Sequence, residues 1–575
     1  MIREADRLFV VTKYYPLFIC TIMWLWKKKE ENIAFKVPEM VQDNFIALAY
    51  ANTEGEREVD IVGTNGARNS IVILSKKLGG FVRETEMPVR SRVDFIIPVD
   101  MDNDGAAEFI VVTKEQSHYQ MTLVNGEGIE QDMGKSDSMP FLVSHKSLIP
   151  AVLVQSGGKS YLIRGDKGVY RTEIPEKLGL LRPGHSSAFV DVNGDGIADL
   201  VLDTIDGSER VVEVWLNRET GFEFKERLVL PEAAGPFVLG DFSGRGSADI
   251  LYLTNTAQGP AVNLLPNARP TYCSSNQQED CLPATMIMKE SEVFGYTQSS
   301  LATYYLGNEI PDSQFVLYNH QIPIFPAVLD LNKNTLPDLL VLVHNTQTNH
   351  RHPMVLMNRH GKGFHVQPTA LQWNYTQQNS DNISFLAAAR GVSDILLGTL
   401  DQSPQIFLAK NESDLFGYHL SISAIGENAK GKYSSPVIGT TYACKIVETG
   451  RVVTGFYPPQ SGYAPMQTPV TTLGLGNTNV FVGAVHTRVP HTAYAPALAV
   501  DKIVPNSELM MQLRNGTIKH VLHLNITAYW AVAVPIILSL MMFFGVIAMY
   551  FIYKEKRKTV KNKAKTRYDI NFSAL

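Results

Sequence analysis

Cysteine is scarce: four in 575 residues, too few for a disulfide-stapled scaffold and too scattered for a cysteine zinc site. No CxxC, HExxH or histidine-rich cluster occurs, so neither a structural nor a catalytic zinc is expected. A nucleophile elbow, a Ser-His-Asp signature and a P-loop are also missing, and the 14 histidines are scattered. The expectation is a protein that is not an enzyme and takes no small-molecule substrate. His185, beside an acidic loop, reads as a loop histidine rather than a base. Positive charge is short as well: a formal net charge of −5 leaves no basic surface for nucleic acid.

Hydrophobic residues, at 45%, and charged residues, at 19%, suit a chain with large buried cores and room for about three parts. Cys20 lies in an apolar N-terminal run and Cys444 has no evident partner. Cys273 and Cys281 sit close together in a polar stretch. A Cys273–Cys281 disulfide closing a small loop fits an oxidising compartment, and two free surface thiols are the alternative.

The ends carry the membrane signals. From Tyr529 to Tyr553 runs an uncharged apolar stretch, longer than the roughly 20 residues a bilayer core requires. Aromatic residues open and close it, and Lys554, Lys556, Arg557, Lys558, Lys561, Lys563, Lys565 and Arg567 follow at once. The positive-inside rule places 554–575 in the cytoplasm, 528–553 in the membrane and everything earlier outside. Leu17 to Trp26 is apolar and follows Arg3, Arg7 and Lys13, so 1–30 reads as a signal peptide or a signal anchor. The sequons at Asn374, Asn382, Asn411, Asn515 and Asn525 all precede the span and are candidate glycosylation sites on the outer side.

The most informative segments repeat. VDFIIPVDMDNDGAAEFIVV from Val93, SSAFVDVNGDGIADLVLD from Ser186, GPFVLGDFSGRGSADILYL from Gly235 and FPAVLDLNKNTLPDLLVLV from Phe325 each place an acidic loop between two apolar strands. Oxygen-bearing side chains fall at positions one, three, five and nine. These are Asp100, Asp102, Asp104 and Glu108 in one loop, Asp191, Asn193, Asp195 and Asp199 in another, and Asp330, Asn332, Asn334 and Asp338 in a third. Alternate residues converge when a backbone curls, and Gly105 or Gly196 at position six permits the bend. Hard oxygen ligands suit Ca2+. An EF-hand would need Glu at position twelve, where Val111 and Leu202 stand, and helices on either side. In the loop Asp241, Ser243, Arg245, Asp249, the guanidinium is expected to replace the ion by pairing with both acids. The earliest copy, Asn52, Glu54, Glu56, Asp60, has Arg57 where glycine is wanted, and no metal is expected there.

Taking the ninth position as a ruler, Asp60 to Glu108 spans 48 residues and Asp199 to Asp249 spans 50. Glu108 to Asp199 (91) and Asp249 to Asp338 (89) are nearly double. Strand repeats of ~40–50 residues indicate a β-propeller. Adding the segment from Phe141 and a degenerate copy around Asp394 gives seven blades over 44–412. The second double gap holds the Cys273–Cys281 segment and SQFVLYNHQIPIF, either a long insertion or a further blade. Residues 413–527 read as a small β-sandwich-like juxtamembrane domain, with an irregular stalk as the alternative.

These loops resemble the FG-GAP repeats of integrin α-subunits, with Leu239-Gly240-Asp241-Phe242 nearest to the motif's letters. With TTLGLGNTNVFVGAV from Thr471, VPNSELMMQL from Val504 and the ending RYDINFSAL, most of the chain from about Asn44 onward is similar to the linkin, or T-cell immunomodulatory protein, family. That resemblance implies an all-β type I membrane glycoprotein of the plasma membrane, with a calcium-stabilised FG-GAP propeller and one span. It also implies an extracellular or cell-surface protein partner in adhesion or immune modulation, with ectodomain shedding as one outcome. A secretory-pathway folding or cargo factor is the second reading, and a propeller-associated hydrolase or lyase the third.

Overall fold

The computed structural model describes residues 39–569 except 54–58, 78–79, 146, 166–167, 273–280, 320–321, 360–362, 368–382, 389–394, 400–403, 410–416, 428–432, 458–462, 464–469, 478–481, 491–497, 515–516 and 525–526. The N-terminal apolar run, Glu54, Glu56, Arg57, Cys20, Cys273, Asp394 and all five sequon asparagines lie outside the described residues.

The chain is all-β apart from one long C-terminal helix and two 3-10 turns, among the described residues. Strands that leave the acidic loops, such as Asp338–Asn345, are apolar runs after their opening acid and are buried over their first six residues. Such runs have no polar face because other apolar layers cover both of theirs. Outer strands instead alternate or are polar, as in Gly221–Leu230.

Among the described residues, seven antiparallel sheets of four or five strands precede Tyr418. The first joins Phe45–Ala51, Asp60–Asn65, Ser70–Lys77 and Gly80–Pro88. The second joins Phe95–Val99, Glu108–Lys114, Tyr119–Val124 and Glu130–Ser136. The third runs from Phe141–Val143 to Tyr170–Glu173, the fourth centres on Asp199–Asp206, the fifth on Asp249–Thr256 and the sixth on Asp338–Asn345. The seventh breaks the pattern. Its strands Ile383–Ala388, Ile395–Thr399 and Gln405–Ala409 are completed by Glu39–Asp43 from the opposite end of the described chain, in register from Glu39↔Leu408 to Asp43↔Gln405. The sheet region thus begins five residues before the expected boundary at residue 44. Apolar clusters join neighbours: Phe45, Ile61 and Phe109 link the first and second sheets to Leu396 and Ile406 of the seventh. Leu331, Leu340 and Ile395 link the sixth to the seventh.

The segment SQFVLYNHQIPIF is an insertion. Ser313–Phe315 adds a strand to the sixth sheet, and Tyr318–Asn319 pairs with Ile322–Pro323 as a separate two-stranded ladder. Cys281 is disulfide-bonded, whereas Cys444 is a free thiol.

From Tyr418 onward two further sheets enclose one core, so the described part is not an irregular stalk. One contains Tyr418–Glu427, Tyr433–Pro436, Thr471–Gly476, Ser507–Arg514 and Thr517–Leu524; the other contains Thr440–Lys445, Val452–Tyr457, Val485–Arg488 and Leu498–Val500. Leu420, Tyr442, Cys444, Val485 and Leu509 are packed between them. Cys444 is therefore an apolar core residue, which accounts for its lack of a partner.

The second compact unit is His523–Leu575. Its helix, Thr527–Asp569, spans 43 residues with Pro535 inside. The stretch Val534–Ala564 is long and apolar enough to cross a membrane, and none of its most apolar window is buried. Among the described residues it is the one candidate span, which fits a single-pass membrane protein.

Candidate metal centre

The acidic loops share one hydrogen-bond scheme, built from the local curl of the backbone. The position-one acid caps the bend by accepting from the position-six N–H: Gly105 to Asp100 Oδ2 at 3.2 Å, Gly196 to Asp191 Oδ2 at 2.7 Å, Gly246 to Asp241 Oδ2 at 2.9 Å and Thr335 to Asp330 Oδ2 at 2.9 Å. Position six takes a left-handed conformation, with φ of 94° at Gly105 and 83° at Gly196, which glycine adopts without strain. Thr335 adopts 83° as well, a conformation costly for a β-branched residue.

The position-nine acid accepts from the start of the loop. Met101 N donates to Glu108 Oε2 at 2.7 Å, Val192 N to Asp199 Oδ2 at 3.1 Å, Ser243 N to Asp249 Oδ2 at 2.7 Å and Leu331 N to Asp338 Oδ2 at 2.9 Å. These bonds turn the first and ninth acids of each loop inward, against the loop backbone.

In the Asp100 loop the convergence is complete. Carboxylate oxygens of Asp100, Asp102, Asp104 and Glu108 all lie within 4.8 Å of one another. Asp100 and Glu108 are buried while Asp102 is exposed. Burial, followed by the Asp102 and Asp100 carboxylates, pushes Glu108 up to about 8. Four carboxylates held this close cannot all ionise in a partly dry site without a cation. The donor set, oxygen only and charge-rich, fits Ca2+ and not zinc or copper.

The other loops carry fewer carboxylates. Burial and Asp195 raise Asp191 to about 7, with Arg269 acting against the rise. Burial raises Asp330 to about 7. The amide of Asn334 donates to the Asn358 carbonyl at 3.0 Å, and its Oδ1 accepts from Leu336 N at 2.8 Å. In the fourth loop the expected pairing is corrected. Arg245 forms no ion pair with Asp241 or Asp249 among the described residues; its Nη1 donates to the Asn267 carbonyl at 3.3 Å. The side chain is half-buried, and its charge opposes the rise that burial imposes on the Asp249 carboxyl.

Two kinds of residue escaped the sequence reading. Asn217 and Asn358 stand near the ends of strands Glu209–Arg218 and Arg351–Arg359, and Asn267 just past Gly259–Leu265, in the fourth, sixth and fifth sheets. Their backbone N–H groups donate to the second oxygen of Asp199, Asp249 and Asp338 at 2.9, 2.8 and 2.7 Å. The side chains of Asn267 and Asn358 then reach back one sheet, donating to the Val192 and Phe242 carbonyls, each at 2.9 Å. Each latch ties one loop to the loop before it. The signal was an Asn 18 or 20 residues beyond the ninth position. The other missed residue is Arg269, fully buried. Its Nη1 donates to the Gly246 carbonyl at 2.9 Å and its Nη2 to the Tyr272 hydroxyl at 2.7 Å. A side chain on Gly194 would collide with this guanidinium, so one cation abuts both the Asp191 and the Asp241 loops.

The domain from Tyr418 covers three of the loops, meeting the Asp241 loop where the Thr454 hydroxyl lies beside Gly246. Ile197 bridges Thr440, and Arg488 Nη1 donates to the Asp195 carbonyl at 2.6 Å. Gly476 N donates to the Lys333 carbonyl at 2.7 Å, and a side chain on Gly474 would strike the Asp330 carboxylate. Tyr463 reaches the sheet core, its ring 5.5 Å from Phe95 and 5.9 Å from His185. His185 itself is buried, held by the Met139 carbonyl at 2.9 Å, as a structural histidine would be.

Comparison with known proteins follows the same division. A family model described as "ITFG1, C2 domain" matches residues 432–521, within the two-sheet domain. The T-cell immunomodulatory protein homolog of Plasmodium falciparum (isolate 3D7) is 22% identical over 543 residues, covering 77% of this chain and 74% of that one. The T-cell immunomodulatory protein of Rattus norvegicus is 21% identical over 80% of this chain and 81% of its own. Among solved structures, the extracellular domains 1-2 of Drosophila Semaphorin 1a align at 12% identity and a TM-score of 0.32, over 70% of this chain and 94% of that one. That overlay is too loose to define a shared architecture. Over most of its length the chain is thus similar to T-cell immunomodulatory proteins, and its two-sheet domain to the C2 domain of that family model.

Proposed function

We propose that this chain is a cell-surface, type I membrane glycoprotein whose calcium-stabilised ectodomain binds an extracellular or cell-surface protein partner in adhesion or immune modulation. The seven sheets are read as the blades of a seven-bladed FG-GAP propeller, closed where Glu39–Asp43 joins the last sheet. The observation that carries the calcium reading is the convergence of Asp100, Asp102, Asp104 and Glu108 within 4.8 Å. Asp191, Asn193, Asp195 and Asp199, and then Asp330, Asn332, Asn334 and Asp338, form weaker sites in order of carboxylate number. The ion would stiffen the loops and perform no chemistry, which suits a binding protein and not an enzyme.

Calcium at a hundred times its Kd should stabilise the ectodomain by about 2.7 kcal/mol per site, with magnesium a poor substitute. Thermal melts with and without chelator test this, alongside calcium stoichiometry by titration calorimetry. Asp104→Ala should remove the tightest site. A melt indifferent to chelation and a titration without heat would reduce the loops to acidic turns. Surface labelling of intact cells, followed by proximity labelling from the ectodomain, tests location and partner. Labelling confined to the secretory pathway would favour a folding or cargo role.

A further inference from the structure

The helix does not stop where the apolar run stops. Thr527–Asp569 continues past Tyr553 through Lys554, Lys556, Arg557, Lys558, Lys561, Lys563, Lys565 and Arg567, with Glu555 the one acid in that interval. No glycine or proline follows Gly545 within the helix, so nothing in the sequence breaks it between the span and the basic stretch. Lys554, Lys556, Arg557, Lys558, Lys561 and Lys563 are exposed. The basic stretch is thus a stiff extension of the span, and helix geometry sets the depth of each charge.

At about 1.5 Å per residue, Lys558 stands about 8 Å beyond Tyr553, Lys563 about 15 Å and Arg567 about 21 Å. The Debye length at physiological ionic strength is about 8 Å. Only the first four charges therefore lie inside the field of a charged headgroup layer. Arg557 is held back toward that layer, its guanidinium 5.2 Å from the centre of the Tyr553 ring, and tyrosine rings favour the headgroup level.

We propose that Lys554, Lys556, Arg557 and Lys558 form a binding surface for anionic phospholipid headgroups in the leaflet at the Tyr553 end, while Lys563, Lys565 and Arg567 stand too far out to contribute. The inference rests on the helix spanning a membrane. An acidic protein partner in solution would have no reason to discriminate by depth, and would reach the outer three charges at least as well.

The test uses the full chain reconstituted in phosphatidylcholine bilayers, with spin-labelled phosphatidylserine or phosphatidylcholine reporting the lipid immobilised at the protein. A basic group near an anionic surface contributes roughly fivefold in affinity at most, so wild type should prefer phosphatidylserine several-fold, and less at high salt. The quadruple variant Lys554→Gln, Lys556→Gln, Arg557→Gln, Lys558→Gln should lose the preference, and the triple variant Lys563→Gln, Lys565→Gln, Arg567→Gln should keep it. Equal loss in both variants, or no preference in wild type, overturns the proposal. Resistance of every variant to alkaline extraction is measured in parallel. A chain that alkali strips from the bilayer refutes the span, whereas an inserted chain without lipid preference refutes only the lipid surface.

Discussion

Glu108 and Thr335 show how much a single position in these loops holds. Glu108 is raised from 4.5 to about 8, first by burial and then by the Asp102 and Asp100 carboxylates. A raised carboxyl pKa means the fold prefers the neutral acid. Its stabilising contribution is complete below pH 4.5 and is lost as pH rises through about 8. Asp191, Asp241 and Asp330 shift in the same direction. The calcium-free ectodomain should therefore melt at progressively lower temperature across that interval, and saturating calcium should flatten the dependence. A chelated protein whose melting point rises over the same range would contradict the electrostatic account. Thr335 supplies a second test: Thr335→Gly should stabilise by about 1 kcal/mol through release of backbone strain, read as a shift in the denaturant midpoint. The ligand spacing of these loops was legible because alternate oxygens at fixed positions leave a pattern in one short stretch. Asn217, Asn267, Asn358 and Arg269 were not. Each acts from another strand or from an insertion, where only the folded chain brings it to the loop.

At the scale of elements, the strand Thr471–Gly476 explains a run that sequence reading could only note as distinctive. Its Gly474 lies against the Asp330 carboxylate so closely that any side chain collides, while Gly476 N is bonded to the Lys333 carbonyl. Gly474→Val should cost about 1–3 kcal/mol as an overpacking change. Because the collision falls at the contact between the two-sheet domain and the sixth sheet, hydrogen exchange should quicken at Lys333 and Gly476 first. Uniform quickening across the two-sheet domain would locate the damage within that domain's own core. The strand pattern of the acidic-loop sheets was readable from apolar runs flanking polar loops. The two-sheet domain was less so, since its parallel pairing of Tyr418–Glu427 with Ser507–Arg514 joins segments too distant for any local periodicity to reveal.

For the whole molecule, the seventh sheet is the element with the widest reach. Met40→Pro, opposite Phe407, would put a proline into a five-residue edge strand; if that strand detaches, Gln405–Ala409 becomes an unprotected edge, a known route to aggregation. The amides of Gln405–Ala409 should lose exchange protection and the yield of soluble ectodomain should fall. Normal protection there would show that the N-terminal strand is dispensable. The same pairing sets a schedule for synthesis. Glu39 is made early, yet its partner Leu408 is 369 residues away in the sequence. At the ~5–20 residues per second of translation, the first strand waits roughly 20–70 s before its partner exists. Through that interval a nascent chain carries one strand that nothing of its own can yet cover, and the seventh sheet forms only after the six sheets between its two ends have been made.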